Sequence, residues 1–222
     1  MNRFSTKVYI ASTKSLEDEG IFHSLYQTVS EERQQKIDRL RFPKDKRLSL
    51  AAEVLLRKAL LLNGISEFTM EVDQNGKPYL AECGSIKFNL SHSEERVMCA
   101  LSVKEVGCDL EWMKEPNYKM TEYFLAKEEI TILNDIKTDE EKKEMFYRFW
   151  TLKESFMKAV GLGMRIPLKE FWFSFEGDST IVHQNIDRKT YYLKEFDFKD
   201  GYRYALCSLC PEIDEIVELS LF

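Results

Sequence analysis

Two acidic side chains near the middle of the chain are the first that could do chemistry. Gly107-Cys108-Asp109-Leu110-Glu111 follows a stretch, Val97 to Val103, in which apolar residues recur at alternate positions, as in a strand. If the chain stays extended from Val106, Asp109 and Glu111 leave the same face, roughly 6–7 Å apart. Cys108 and Leu110 then face the other way, into a core. Neighbouring carboxylates repel. A hard divalent cation, whose preferred ligands are carboxylate oxygens and water, relieves that repulsion. The same spacing also describes an edge strand with a solvated acidic face, and alone it does not separate the two.

A second pattern has helical spacing. From Asp139 to Val160, the residues Met145, Phe149, Leu152, Phe156 and Val160 form an apolar stripe. Trp150, Glu154 and Lys158, spaced four apart, form a row roughly opposite to it. That row is either a surface Glu–Lys bridge with Trp150 packed against other structure, or one wall of a cleft. In the cleft, Glu154 would join Asp109 and Glu111 around one metal, and Lys158 would reach a phosphate bound to it.

Two further features suit an anionic ligand. Arg33, Lys36, Arg39, Arg41, Lys44, Lys46 and Arg47 stand against only Asp38 and Asp45 in their segment. Such a segment can hold a phosphate, or it can be a solvated helix surface. His92 lies between Ser91 and Ser93 in a hairpin-like stretch after an inward strand, whereas His23 and His183 read as surface residues.

The elements that must position these groups form one α+β pattern. Val8–Ala11 reads as a strand, Ser15–Tyr26 as a helix or irregular turn, and Ser30 as the N-cap of a helix. Leu48–Leu62 is apolar nearly all round, as in a buried helix closed by Asn63-Gly64. Phe68–Val72, a hairpin turn at Asn75-Gly76 and Ile86–Leu90 follow. Beyond the acidic strand, Thr121 caps a helix to about Ile136, and a longer helix runs from Asp139 to Val160. Strands at Phe171–Phe175, Thr180–Ile186, Thr190–Phe198 and Tyr202–Leu209 complete the pattern. The matched order on either side of Val106 implies two halves, 1–105 and 106–222.

The composition sets outer limits. At 222 residues the chain allows one large domain or two small ones. A net charge of -6 argues against bulk nucleic-acid binding. No apolar run approaches the roughly 18 residues of a membrane span. Met1 to Lys7 leads into no apolar signal region. Cys83, Cys99, Cys108, Cys207 and Cys210 suit reduced thiols in a cytoplasm. Cys207 and Cys210 have C-x-x-C spacing but end a strand, where a redox pair would open a helix.

Gly107 to Glu111, followed by Phe149-Trp150-Thr151-Leu152-Lys153-Glu154-Ser155-Phe156-Met157-Lys158, resembles the paired signature of 4'-phosphopantetheinyl transferases. The length, Phe88-Asn89-Leu90-Ser91-His92-Ser93 and Gly76-Lys77-Pro78 resemble the monomeric, surfactin-synthetase-activating type. The resemblance runs from about Ser30 to Cys207. Cys108 departs from the aliphatic residue usual there, on the core-facing side.

The resemblance implies two similar α/β halves with pseudo-twofold symmetry, and coenzyme A with magnesium in the cleft. The phosphopantetheine arm would pass to a serine of an apo acyl or peptidyl carrier protein, releasing adenosine 3',5'-bisphosphate. By similarity, Asp109, Glu111 and Glu154 hold the magnesium. His92 and Lys158 contact the pyrophosphate, with Ser91 beside them. Gly76, Lys77 and Pro78 lie along the adenine and ribose. Arg33, Lys36, Arg47 and Ser49 match the region that grips the nucleotide phosphates. Glu154 is the expected base. Trp112, Met113, Tyr118, Met120 and Phe124 would receive the carrier.

Two other functions fit parts of this pattern. An ATP-dependent phosphotransferase would want a Gly-rich loop that opens a helix, but Gly161-Leu162-Gly163 ends one. A non-enzymatic coenzyme A or carrier-binding module would keep the basic segment without needing the three carboxylates and Lys158.

Overall fold

The computed structural model describes residues 5–81 and 85–222. Met1 to Phe4 and Cys83 lie outside them. The first half runs β1 (Thr6–Ser12), α1 (Glu19–Tyr26), α2 (Glu31–Asp38) and α3 (Pro43–Leu62), then β2 (Met70–Val72), β3 (Pro78–Leu80), β4 (Lys87–Ser93) and β5 (Arg96–Ser102). The second runs β6 (Val106–Trp112), α4 (Thr121–Phe124), α5 (Lys127–Asp135) and α6 (Asp139–Val160), then β7 (Trp172–Glu176), β8 (Ser179–His183), β9 (Tyr192–Phe196), β10 (Tyr202–Ser208) and β11 (Ile213–Glu218).

The halves repeat one plan: a strand, a long helix, a two-stranded hairpin and two more strands. Their sheets share an order, β1-β5-β4 and β6-β10-β9, with every neighbour in these triplets antiparallel. The strands are apolar on both faces because both faces are covered. Tyr9, Cys99 and Leu101 pack under α3, and Ala205 and Cys207 under α6. The alternate residues, among them Val8, Ile10, Met98, Cys108, Leu110 and Leu206, pack the two sheets face to face.

Helix boundaries follow local chemistry. The Ser30 hydroxyl accepts from Arg33 N–H at the start of α2. Pro43 opens α3, which needs no N–H there, and α3 ends before Gly64 at φ +80°. Its last turn is only half buried: Ala59 and Leu60 lie in the core, while Leu61 and Leu62 are exposed. Thr138 caps α6, and Gly161 ends it in the left-handed region at φ +79°.

The structure corrects the sequence reading in several places. The helix expected over 121–136 is broken into α4 and α5 by extended residues at Leu125 and Ala126. Phe68 and Thr69 lie outside β2, and a longer loop over Asp73–Lys77 replaces the tight hairpin turn, with the Asp73 carboxylate accepting from the N–H groups of Asn75 and Lys77. His183 is not a bare surface residue: its ring stacks on Trp172 at 3.6 Å and meets Ser174 Oγ at 2.8 Å. A further strand, β11, returns to the first sheet and pairs parallel with β1. Leu221 enters the core beneath α3.

Candidate active site

Strand β6 carries Asp109 and Glu111 on the side turned toward α6. The approach is close because residue 107 is glycine. A Cβ there would stand 2.1 Å from Ser155 O and 2.3 Å from Ala159 N, both backbone atoms of α6. Gly107→Ala must therefore push β6 away from the helix. We expect a loss of about 3 kcal/mol, the upper end for overpacking, read from denaturant midpoints. An unchanged midpoint would show that the strand–helix spacing is slack.

Helix α6 is fixed on its other side by a buried charge pair. Lys153 Nζ, fully buried, donates to Leu168 O and Phe171 O, each at 2.8 Å, and pairs with Glu129 Oε2 at 2.9 Å. Glu129 in turn accepts from the N–H groups of Ala126 and Phe173. Every member has partners, as a buried ion pair requires. With Lys153 turned inward, Trp150, Glu154 and Lys158 turn toward β6.

Strand β4 closes the third side. It runs beside β6, but the two belong to different sheets and share side-chain rather than ladder bonds. Cys108 N–H donates to Asn89 Oδ1 at 2.8 Å. Ser91 Oγ donates to Asp109 Oδ1 at 2.7 Å, and Ser93 Oγ to Glu111 Oε2 at 2.7 Å.

These three walls enclose a cavity of about 290 Å³ lined by Leu90, Ser91, His92, Asp109, Glu111, Trp150, Glu154 and Lys158. Lys158 Nζ donates to Asp109 Oδ1 at 2.7 Å, and to Ser91 Oγ and Cys108 O at 3.2 Å each. Trp150 stands beside Glu111 in this lining, and its ring meets Phe124 edge-on at 5.0 Å. Asp109 Oδ2 is buried with no hydrogen-bond partner.

The electrostatics follow from three carboxylates sharing one cavity. Burial lifts the pKa of Asp109 above the usual aspartate range, against the pull of the Lys158 ammonium. Burial also raises Glu111 and Glu154, and each feels the charge of its carboxylate neighbours. For Lys158, burial opposes the charge, but Asp109 and its neighbours outweigh it and raise the pKa. The His92 ring keeps access to the cavity, yet surrounding protein strips part of its hydration. That desolvation, then the Lys158 ammonium, holds its pKa below the ordinary imidazole value. Among the described residues, no three acidic, histidine or cysteine side chains converge closely enough to form a metal centre as they stand.

Residues 105–207 match the family described as the 4'-phosphopantetheinyl transferase superfamily, and residues 17–104 match "4'-phosphopantetheinyl transferase, N-terminal". The 4'-phosphopantetheinyl transferase gsp of Aneurinibacillus migulanus is 34% identical over 90% of this chain and 84% of its own. This chain belongs to the 4'-phosphopantetheinyl transferase superfamily. The 4'-phosphopantetheinyl transferase Sfp of Bacillus subtilis is 27% identical over 96% of this chain and 95% of its own. A solved holo-(acyl-carrier-protein) synthase from Bacillus anthracis overlaps 47% of this chain and 93% of its own, at 17% identity and a TM-score of 0.42.

The phosphopantetheinyl transferase brings seven of the residues singled out in the sequence into one cavity: Ser91, His92, Asp109, Glu111, Trp150, Glu154 and Lys158. It does not bring the others to that lining. Arg33 pairs with Glu53 Oε2 at 3.1 Å and reaches Ser49 Oγ at 3.5 Å. Lys36 is exposed, and Arg47 stands 3.9 Å from Glu17. Gly76, at φ +83°, is in the β2–β3 loop, and Pro78 opens β3. Lys77 Nζ crosses from that loop to Glu105 Oε2 at 2.9 Å and Val106 O at 3.4 Å, beside the start of β6. Asn89, Ser93 and the Glu129–Lys153 pair were not expected to support the site. Asn89, Ser91 and Ser93 at alternate positions of β4 were the available signal for Asn89 and Ser93.

Proposed function

We propose that this transferase moves the 4'-phosphopantetheine arm of coenzyme A to a serine hydroxyl of an apo acyl or peptidyl carrier protein. The reaction depends on magnesium and releases adenosine 3',5'-bisphosphate. The observation that supports this best is the buried, unpartnered Asp109 Oδ2 in a cavity it shares with Glu111, Glu154, Lys158 and His92. A hard cation suits that donor set: all oxygens, one of them buried without a partner, and three carboxylates whose pKa values burial raises, with repulsion from Asp109 adding to the rise at Glu111 and Glu154. Asp109, Glu111 and Glu154 would hold it. When bound, magnesium neutralises charge on the pyrophosphate oxygens.

The chain's own residues do the rest. The serine oxygen of the carrier attacks the β-phosphorus of coenzyme A, and the bond to the bridging oxygen of the bisphosphate breaks. Glu154 takes the serine proton. Lys158, charged and held beside Ser91 and Asp109, stabilises the departing phosphate. His92 donates to the pyrophosphate from the opposite wall. Residues 1–105 would grip the nucleotide through Lys36, Arg47, Ser49, Gly76, Lys77 and Pro78. Arg33 would add charge there while neutralising Glu53. Residues 106–222 would supply the metal ligands and the catalytic helix.

Exposed Trp112, Met120 and Tyr123 would face the carrier. Phe124 is 2% exposed and belongs to the core rather than to that surface. Both walls of the cleft come from one chain, which suits a monomer. Among the described residues no helix is long and apolar enough to cross a membrane. Fully buried thiols at Cys99, Cys108 and Cys207 suit the reducing cytoplasm.

The test is to incubate the protein with coenzyme A, magnesium and an apo carrier, then weigh the carrier. The carrier should gain one phosphopantetheine arm, and excess chelator should stop the gain. A carrier of unchanged mass with every partner present would overturn the proposal, and full transfer in chelator would overturn its metal dependence.

A further inference from the structure

We propose that Ser93 is a positioning residue for the reaction: its hydroxyl fixes Glu111 in the orientation that receives the cation. The inference rests on the reading that Asp109, Glu111 and Glu154 hold a divalent metal, and it adds a residue behind that set.

The polarity of the Ser93 hydroxyl is determined by its neighbours. Trp112 N–H points at Ser93 Oγ at 3.2 Å and occupies a lone pair. The hydroxyl proton is left for Glu111 Oε2 at 2.7 Å. Ser93 is half-buried, as is Glu111, and it is not among the residues that line the cavity. It stands behind the carboxylate and does not meet the substrate.

Glu111 needs such a restraint. It has a longer, freer side chain than Asp109, and repulsion from Asp109 would turn it away in the absence of a cation. Ser93, from β4, donates to it and holds it. The strand–strand seam explains why a serine is there. Had β4 and β6 joined by a backbone ladder, the Trp112 N–H would have bonded a carbonyl and left no hydroxyl beside Glu111. With the ladder replaced by side chains, Asn89 and Ser93 satisfy the N–H groups of Cys108 and Trp112. Ser91 and Ser93 donate their own protons to the two carboxylates. Each hydroxyl thus does two tasks, capping or bridging on one side and orienting a carboxylate on the other.

The experiment measures manganese(II) binding by loss of the free-ion electron paramagnetic resonance signal, with coenzyme A present and carrier absent, beside turnover at varied magnesium. Ser93→Ala should weaken manganese binding about tenfold, the lower end for losing a group that orients a metal ligand. The magnesium concentration for half-maximal turnover should rise in step, with a smaller change in kcat at saturating magnesium. Ser93→Thr keeps the hydroxyl and should restore most of the affinity. If the alanine variant does not fold, Ser93→Cys fills similar space with a weaker donor and should lie between alanine and wild type. Wild-type affinity in a folded Ser93→Ala or Ser93→Cys variant would overturn the role of Ser93 while leaving the metal reading intact. No manganese binding by the wild type would overturn both. A lower melting temperature with unchanged manganese affinity would make Ser93 a structural residue only, which also overturns the proposal.

Discussion

Asp109→Asn should lower kcat/KM for carrier modification by about 10³-fold, comparable to losing a strong electrostatic contact to the transition state. The substitution is nearly isosteric, so the Ser91 and Lys158 bonds to Oδ1 can persist in part. What changes is the buried, unpartnered Oδ2. An amide NH₂ in its place turns a cation's ligand into a donor and adds no negative charge to balance Lys158. The Lys158 side chain is 28% exposed and opens onto the cavity, so loss of its partner harms the fold less than it would for a sealed pair. The measurement is steady-state turnover with an apo carrier, with a thermal melt to confirm folding. A folded variant within tenfold of wild type would show that Asp109 serves only to pair Lys158.

Glu154→Gln should separate binding from chemistry. Coenzyme A affinity should stay within about tenfold, about 1.4 kcal/mol, while kcat falls by about 10²–10⁴, the usual contribution of a general base. Glu154 stands on α6, across the cavity from β4, and its half-buried carboxyl has a raised pKa through desolvation and the charges of Asp109 and Glu111. A raised carboxylate pKa makes a stronger base at neutral pH, and a serine hydroxyl must lose its proton as it attacks. Calorimetry with coenzyme A beside carrier turnover reads both quantities. If binding collapses as turnover at saturation stays normal, Glu154 is a metal ligand alone and the proton leaves by another route.

The parts of the site legible in sequence are those with a clean period. Asp109 and Glu111 alternate with core residues Cys108 and Leu110, and the strand duly places the two pairs on opposite faces. Trp150, Glu154 and Lys158 recur every four residues and share one wall of the cavity. The limits of α6 were readable because an acidic first turn and Gly161 mark its ends. Where the deciding partner is distant in sequence, the residues gave no such signal. Lys153 looks like one more charge on a helix until Glu129 is brought beneath it. Arg33 looks free for a phosphate until Glu53, on a helix apolar nearly all round, is found against it. Ser93 reads as part of a turn, yet β4 continues through it. The break in the 121–136 helix has no glycine or proline to announce it, and β11 is hidden because acidic residues interrupt its apolar pattern.

That eleventh strand has a consequence for synthesis. It pairs with β1, while the rest of the first sheet is complete at Ser102. Roughly a hundred residues separate Ser102 from Ile213, a delay of about 5–20 s at ordinary elongation rates. During that interval the emerging first half carries β1 as a bare sheet edge, open to pairing with any extended chain. A chaperone on the nascent chain would find its target there. The half that holds His92 leaves the ribosome first, yet its sheet is closed only after the half that holds Asp109 and Glu154 has been made.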